Sequence, residues 1–370
     1  MKTVRRLLYF DIVASVALVA MAFLSLFFFI NVVDALEGLG QKGRTLWDVL
    51  LAALLELPTN LYELFPIAVL IGTIYSLARL AQNSEFTILR TSGLGPGRAL
   101  ALLSTLGLAF SALTFVVGDY IAPASERQAV VLKARTGDGI PLGAAGAWIK
   151  EKRQTAQGER NYSISVAQAS GAGALAGIRI FEFDADGRLL SRTESRQGQV
   201  SSEGTWTLSD VTITRWPQAR TPGRSAVTVE QLPTLQWAST LDAELVAASV
   251  MPANTMTTGE LARYSAHLSA QEQATQGHEI RFWRKALYPL APLVMVALAL
   301  PFAYMHARAG GVSLKVFGGI MLGISFVLLN NLAGHIGLLR GWTPWVAAAT
   351  PSGLYLLMSM AAFAWLVRYR

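Results

Sequence analysis

The chain has 370 residues, of which 52% are hydrophobic and only 15% are charged, whereas soluble domains usually carry about 25% charged residues. This composition indicates a membrane protein and excludes an ordinary soluble one. The absence of cysteine excludes disulfides, zinc–thiolate sites and thiol catalysis. The net charge of +7 does not indicate nucleic-acid binding, because many of the basic residues flank apolar runs instead of forming one patch.

Six apolar runs are each long enough to cross a bilayer core, which takes about 20 helical residues. They lie at about residues 8–33, 49–80, 99–121, 286–304, 316–338 and 345–367. The first run is too long for the apolar part of a signal peptide and no convincing cleavage site follows it, so we expect it to remain as a span.

The distribution of lysine and arginine predicts the orientation of these spans. One set of span ends carries Lys2, Arg5, Arg6, Arg79, Arg90, Arg98, Arg308, Lys315, Arg368 and Arg370. The opposite short loops carry only Lys42, Arg44 and Arg340. The positive-inside rule therefore places both termini and the loop at 80–93 in the cytoplasm, and the long segment after span three on the outer side of the membrane, which is the periplasm if the cell is Gram-negative.

The short loop at 80–93, "LAQNSEFTILRTSG", predicts a small capped helix. Asn83 or Ser84 can cap it, Glu85 then lies in its first turn, and Gly93 ends it. Two turns of helix are not stable alone, so the helix packs either against the chain's own helices or in a groove of a cytoplasmic partner. The contact candidates for such a partner are Ser84, Glu85, Phe86, Leu89 and Arg90.

The segment between spans three and four has the pattern of an antiparallel β domain. Apolar and polar residues alternate in "NYSISVAQA", "GIRIFEFDADGRLLSRTES" and "TWTLSDVTITRW", and Asp186-Gly187 marks a hairpin turn. After these strands, Thr257 and Glu260 have the spacing of a helix capping box. A groove through the β domain would be lined by some of the alternating residues Ile178, Ile180, Phe181, Phe183, Trp206 and Leu208.

The expected fold class is therefore an α-helical membrane protein of six spans, with an all-β, jelly-roll-like domain inserted between helices three and four. The expected domains are residues 1–121 with spans one to three and a cytoplasmic helix at about 82–92, 122–251 as the β domain, 252–280 as a helix and connector, and 281–370 with spans four to six.

The sequence lacks the motifs of common catalytic and nucleotide-binding sites. No H-E-x-x-H, G-x-S-x-G or G-x-x-x-x-G-K-[ST] pattern occurs, and the four histidines are scattered along the chain. We therefore expect a non-catalytic subunit without a cofactor or metal site, and ATP hydrolysis, if it is needed, by a partner.

Several segments resemble the LptF/LptG family of lipopolysaccharide-export permeases. They are "LP" at residue 57, "LFPIAVLIGTIYSLARLAQNSEFTILRTSG" from residue 64, "GDYIAP" from residue 118, "GAWIKE" from residue 146 and "YPLAPLVMVALALPFAY" from residue 288. The resemblance covers essentially the whole chain and includes the order of three spans, a β domain and three spans.

This resemblance implies the partners and the substrate. In the family, LptF-like and LptG-like permeases pair in the inner membrane, and two copies of the ATPase LptB bind their coupling helices. An LptC-like protein adds a single span and a β domain, and an LptA-like protein continues the periplasmic bridge. The complex extracts lipopolysaccharide from among the membrane lipids. The glutamate of the family's coupling helix corresponds to Glu85 in this sequence.

The candidates for contact with the substrate are less specific. LptG-like proteins can carry a lysine near the outer end of span one, but the matching position here is Asn31, followed by Asp34. Glu63 shares a face of span two with other polar residues, and such residues in a membrane mark a pathway unless they extend into water. His335 contacts a head group or forms a hydrogen bond between helices. The full set is Phe27, Asn31, Asp34, Lys42, Arg44, Glu63, His335 and Arg340.

Two alternatives to lipopolysaccharide transport stay open from the sequence. The first is a membrane scaffold whose external β domain binds a partner protein, in which case residues 80–93 tolerate mutation. The second is a permease for another lipid or for a lipoprotein, which would show no preference for phosphorylated glycolipids.

Overall fold

The computed structural model describes residues 2–36, 39, 45–91, 93, 95–135, 147–155, 158–169, 174–201, 205–217, 226–239, 241, 246, 255–270, 276–304 and 311–369. The chain divides into two compact units, which are described separately below. The helical unit comprises residues 1–136 and 276–370, and the β unit comprises residues 137–275.

Ten α-helices occur in the part of the chain that the structure describes. They are α1 Lys2–Leu36, α2 Leu46–Gln82, α3 Glu85–Thr91, α4 Pro96–Val116, α5 Ala122–Arg135, α6 Thr258–Ala270, α7 Gln276–Leu287, α8 Ala291–Tyr304, α9 Val312–Leu339 and α10 Pro344–Tyr369. A π-helical turn, Val117–Ile121, joins α4 to α5, and a 3-10 turn, Tyr288–Leu290, joins α7 to α8.

The six membrane spans that hydrophobicity predicts are confirmed. Among the described residues, six helical segments are long and apolar enough to cross a membrane: Arg5–Leu36, Leu46–Gln82, Pro96–Leu132, Gln276–Tyr304, Val312–Leu339 and Pro344–Trp365. The third of these continues past the π-helical turn into α5, whereas the sequence places the start of the β domain at residue 122. The first strand begins at Ala147, so the boundary lies later than expected.

Helix α2 is the centre of the helical unit. It is 37 residues long, which is about 55 Å at 1.5 Å per residue and longer than a bilayer core of about 30 Å. A capping box fixes its start, since the Thr45 amide donates to Asp48 Oδ2 (2.9 Å) and the Asp48 amide donates to Thr45 Oγ1 (3.3 Å). Its second half is buried almost throughout, against α1, α8 and α9.

Small residues let these helices pack closely. A Cβ atom on Gly72 of α2 would lie 2.6 Å from the backbone nitrogen of Val16 on α1, so the two backbones touch. Gly319 of α9 leaves room for the Ile74 side chain of α2, whose Cδ1 would lie 2.7 Å from an added Cβ. Close approach at small residues is the usual way in which helices associate in a bilayer, where lipid is as apolar as the side chains.

In the described part of the β unit, six strands pair in sequential order as one antiparallel sheet. They are β1 Ala147–Thr155, β2 Gly158–Ala169, β3 Ala174–Phe183, β4 Leu189–Val200, β5 Thr205–Arg215 and β6 Thr228–Ala238. The predicted hairpin between β3 and β4 is confirmed, because Gly187 has φ of 77° and its amide donates to the Asp184 carbonyl at 3.1 Å.

The sheet curves so that its first and last strands meet. The rings of Tyr162 on β2 and Trp237 on β6 lie 5.8 Å apart, although three strands lie between β2 and β6 in the sheet order. Trp206, which is fully buried, contacts Trp237 at 5.4 Å and donates its indole N–H to the Leu241 carbonyl. The inner face of the curved sheet is therefore filled by an apolar core.

The helix predicted after the strands is also confirmed. The Thr257 amide donates to Glu260 Oε2 at 2.8 Å and the Glu260 amide donates to Thr257 Oγ1 at 3.2 Å. These two bonds form the expected capping box at the start of α6.

Candidate functional site

Helix α3 lies in the turn between two membrane-spanning helices. It begins at Glu85, immediately after Ser84, which has φ of 62° and whose carbonyl accepts the amide of Ile88 at 3.1 Å. It ends at Thr91, before Gly93, which has φ of 97° and whose carbonyl accepts a bond from the Arg98 guanidinium at 3.2 Å. A two-turn helix with Glu85 in its first turn is therefore confirmed.

Two of the described side chains on the exposed side of α3 could contact a partner. Glu85 is exposed, and Ile88 is 61% exposed although the sequence did not single it out. Leu89, which the sequence offered as a partner contact, is half-buried against the chain's own helical core. That arrangement matches the alternative in which the helix packs on its own neighbours. The side chains of Phe86 and Arg90 lie outside the described residues.

A second polar cluster lies at the end of the helical unit opposite α3. The Arg284 guanidinium of α7 donates to Asn331 Oδ1 of α9 at 3.0 Å and lies against Gly334, where an added Cβ would be 3.2 Å from Nη1. The Tyr288 hydroxyl, which follows α7 in the same span, donates to the backbone carbonyl of Glu63 on α2. Arg284 and Tyr288 therefore bond this span to α9 and α2.

The π-helical turn packs against the same cluster. A Cβ on Gly118 would lie 2.1 Å from the Tyr62 ring, so only glycine leaves room for this ring. The ring of Tyr62 in turn lies 4.9 Å from that of Tyr288. One turn away along α2, the Thr59 hydroxyl donates to Glu126 Oε2 at 3.1 Å. Widened helical turns of this kind are frequent at functional sites.

The substrate candidates do not converge on one described pocket. Phe27 and Asn31 are half-buried, Asp34 is exposed, and the Asn31 amide nitrogen is buried without a hydrogen-bond partner. His335 is exposed and its Nδ1 bonds only the Asn331 carbonyl of its own helix, at 2.8 Å. Arg340 is exposed at the end of α9, and Glu63 is also exposed. Lys42 and Arg44 lie outside the described residues.

The candidates for a lipid groove fall on both faces of the sheet. Ile178, Ile180, Trp206 and Leu208 are buried in the core of the β unit. Phe181 and Phe183 are half-buried, and the ring of Phe181 stacks on that of Trp148 at 5.7 Å. Since successive strand residues point to opposite faces, Phe181 is on the other side of the sheet from Ile180.

The comparison with known proteins identifies the family of this chain. Residues 6–368 match the family of the lipopolysaccharide export system permease LptF/LptG. The chain belongs to the LptF/LptG family. It is 25% identical over 334 residues to the lipopolysaccharide export system permease protein LptG of Escherichia coli K12, which covers 90% of this chain and 89% of that protein. It is 24% identical over 337 residues to LptG of Haemophilus influenzae, which covers 89% of each chain.

Membership of the LptF/LptG family makes the chain a multi-pass permease of the inner membrane. The helical unit combines a half-exposed helix between two spans with a polar cluster at its other end. Sequence reasoning missed Arg284 and Ile88. A signal for Arg284 existed, because a charged residue within a membrane-spanning helix is a functional candidate by default.

Proposed function

We propose that this chain is one permease subunit of an ABC transporter that extracts lipopolysaccharide from the inner membrane and passes it to a periplasmic bridge. Family membership over residues 6–368 is the observation that carries the proposal. The permease acts by binding and movement, and the free energy comes from ATP hydrolysed by a partner, because the sequence has no phosphate-binding loop.

The ATPase contact is α3 on the cytoplasmic side. The exposed Ile88 and Glu85 give this helix an apolar anchor and a negative charge in its first turn, next to Phe86 and Arg90. Helices bind protein grooves through such short apolar faces. The half-buried Leu89 packs against the apolar core of the helical unit, so that movement of α3 is transmitted to the spans on either side of it.

The remaining partners follow from the proposed role. An LptF-like permease pairs with this chain, each permease binds one LptB-like ATPase, and an LptC-like protein and an LptA-like protein continue the route in the periplasm. Both termini are cytoplasmic and the β unit is periplasmic, in line with the concentration of basic residues at one set of span ends.

The basic residues of the opposite short loops are the proposed first contacts of the anionic head group. They are Lys42, Arg44 and Arg340. Phosphates bind lysine as a point charge and arginine through its planar fork. Arg284 lies at the same end of the helical unit as Arg340 but is bonded to Asn331, so we assign it to holding the helices together.

The experiment that tests this function is co-purification of the tagged chain from a Gram-negative host in mild detergent. The expected result is a second permease, an ATPase and a co-bound phosphorylated glycolipid. An ATPase with a different bound lipid or a lipoprotein would favour the alternative permease function. A periplasmic protein without any ATPase would favour the scaffold.

A further inference from the structure

One end of α1 is bonded to both helices that flank α3. On the α4 side, the Tyr9 hydroxyl donates to the Leu102 carbonyl at 2.9 Å and shares a hydrogen bond with the Thr105 hydroxyl. Thr105 also bonds the Leu102 carbonyl, at 2.8 Å. The first turns of α4, which directly follow α3, are therefore joined to α1 through one side chain.

On the α2 side, the Asp11 carboxylate makes the connection with both of its oxygens. Oδ2 accepts the Ser76 hydroxyl at 2.5 Å, and Oδ1 accepts the Arg79 guanidinium. Arg79 lies in the last turn of α2, and its carbonyl accepts the Asn83 amide of the turn that leads into α3. The chain segment just before α3 is therefore joined to α1 as well.

Helix α1 is unbroken and little buried in the chain. It is one helix of 35 residues, and only 17% of its most apolar stretch is buried in the chain. It contacts α2 along one side, closest at Gly72 and Val16. A straight helix transmits displacement along its length, so a shift at Tyr9 and Asp11 is carried to the far end of α1, about 40 Å away at 1.5 Å per residue.

We propose that Tyr9 and Asp11 are positioning residues that convert movement of α3 into movement of α1. This inference rests on the proposed function, in which α3 binds an ATPase. A carboxylate inside a membrane-spanning helix is costly, and its two bonds to the last turns of α2 fix the rotation of α1 as well as its distance. The bonds of Tyr9 to α4 fix the position of α1 from the other side, so α1 follows movement at both ends of α3.

The test uses the complete transporter with its ATPase, reconstituted in vesicles that contain lipopolysaccharide. The measured quantities are the ATP hydrolysis rate and the lipopolysaccharide released per ATP. For Tyr9→Phe and Asp11→Asn we expect ATPase attachment and hydrolysis close to wild type, with release per ATP reduced about fivefold or more, as for a typical coupling free energy. The conservative variant Asp11→Glu should restore release per ATP. The double variant that combines Asp11→Arg with Arg79→Asp should restore it as well. Ser25→Ala is the control, because its hydroxyl bonds only Met21 of the same helix.

A distance measurement distinguishes contacts that transmit movement to α1 from contacts that only hold the helices in place. The chain has no cysteine, so two introduced cysteines, Phe29→Cys and Leu339→Cys, provide its spin-labelling sites. They replace side chains that are 65% and 84% exposed. The label distance should change between nucleotide-free and vanadate-trapped transporter, and Asp11→Asn should reduce that change. Wild-type release per ATP in both variants, or a constant label distance in the unmodified background, overturns the inference. Absence of an ATPase from the wild-type complex would instead refute the proposed function.

Discussion

The guanidinium of Arg153 on the first strand lies 4.3 Å from the ring centroid of Trp237 on the last strand. It also lies 4.7 Å from the centroid of the Tyr162 ring, and its nitrogens bond both oxygens of Glu151 at 2.8 and 2.9 Å. The Glu151 side chain is fully buried and also accepts the Ser239 hydroxyl at 2.8 Å. The two ends of the curved sheet are therefore joined by a charged group that contacts two neighbouring aromatic rings.

Loss of Arg153 alone should destabilise the junction between β1 and β6 more than loss of both Arg153 and the Glu151 charge. Arg153→Ala leaves the buried Glu151 carboxylate without its cation, which typically costs about 3–5 kcal/mol. Adding Glu151→Gln removes the unpaired charge and should recover part of the loss. Hydrogen exchange of β1 and β6 amides in the detergent-solubilised protein measures both effects.

A surface ion pair in the same sheet provides the control. Arg215 and Glu230 bond at 2.8 Å, but their side chains are 56% and 48% exposed. Arg215→Ala should therefore change the free energy of opening, obtained from hydrogen-exchange protection, by less than about 1 kcal/mol. Equal exchange rates in Arg153→Ala and Arg215→Ala would show that the junction between β1 and β6 contributes little.

The exposed side of α3 should determine attachment of the ATPase. Ile88→Asp places a charge where an apolar anchor is proposed, and Glu85→Ala and Phe86→Ala remove its neighbours. An anchor of about 2 kcal/mol corresponds to a loss of roughly 30-fold in affinity, visible as loss of the ATPase from the purified complex. Gln82→Ala, at the exposed end of α2, is the matched control. Normal attachment in all three variants would assign α3 to internal packing alone.

Local patterns predicted much of this fold, and contacts distant in sequence were harder to predict. The spans follow from hydrophobicity, and the turn at Gly187 and the cap at Thr257 follow from residues two or three positions apart. Helix α5 was missed because its residues are too polar to extend an apolar run. The contact of Tyr162 with Trp237 depends on how far the sheet curves, which the alternation of strand residues does not encode.

The candidate site shows the same division. The position of α3 and of Glu85 follows from a local cap and a glycine stop, and the family resemblance adds its role. Which side of the helix is free depends on tertiary packing, so Leu89 was expected at a partner and lies half-buried against the chain's own core. The bond between Arg284 and Asn331 joins residues 47 positions apart, and no spacing rule predicts it.

The contact of α1 with α2 should tolerate no side chain at Gly72. An alanine Cβ there would be 2.6 Å from the backbone of Val16, which cannot move aside without shifting α1. Overpacking of this kind usually costs about 1–3 kcal/mol. We expect Gly72→Ala to lower the thermal unfolding temperature in detergent, whereas Gly97→Ala, with open space around its Cβ, should not. Equal unfolding temperatures would mean that α1 repacks freely.

The two faces of the β unit should differ in what they contact in working cells. Photo-crosslinkers along β3 and β5 sample the buried positions Ile178, Ile180, Trp206 and Leu208, and the opposite-face positions Phe181 and Phe183. If the inner face carries acyl chains, its apolar core must open, and each buried methylene would then contribute about 0.8 kcal/mol to lipid binding. We expect glycolipid at inward positions during transport.

Crosslinkers on β1 and β6 should capture a partner β domain, because these are the outer two of the six described strands and an outer strand can accept a further strand from another chain. Trp148, 50% exposed on β1, is the position of choice, and Asp186 in the hairpin turn is the exposed control away from both edges. Crosslinks to neither lipid nor protein at any of these positions would mean that the β unit is a spacer and that the lipid follows another route. Lipid crosslinks at Phe181 and Phe183 but not at Ile178 and Ile180 would place the route on the outer face of the sheet, with the core of the unit closed throughout transport.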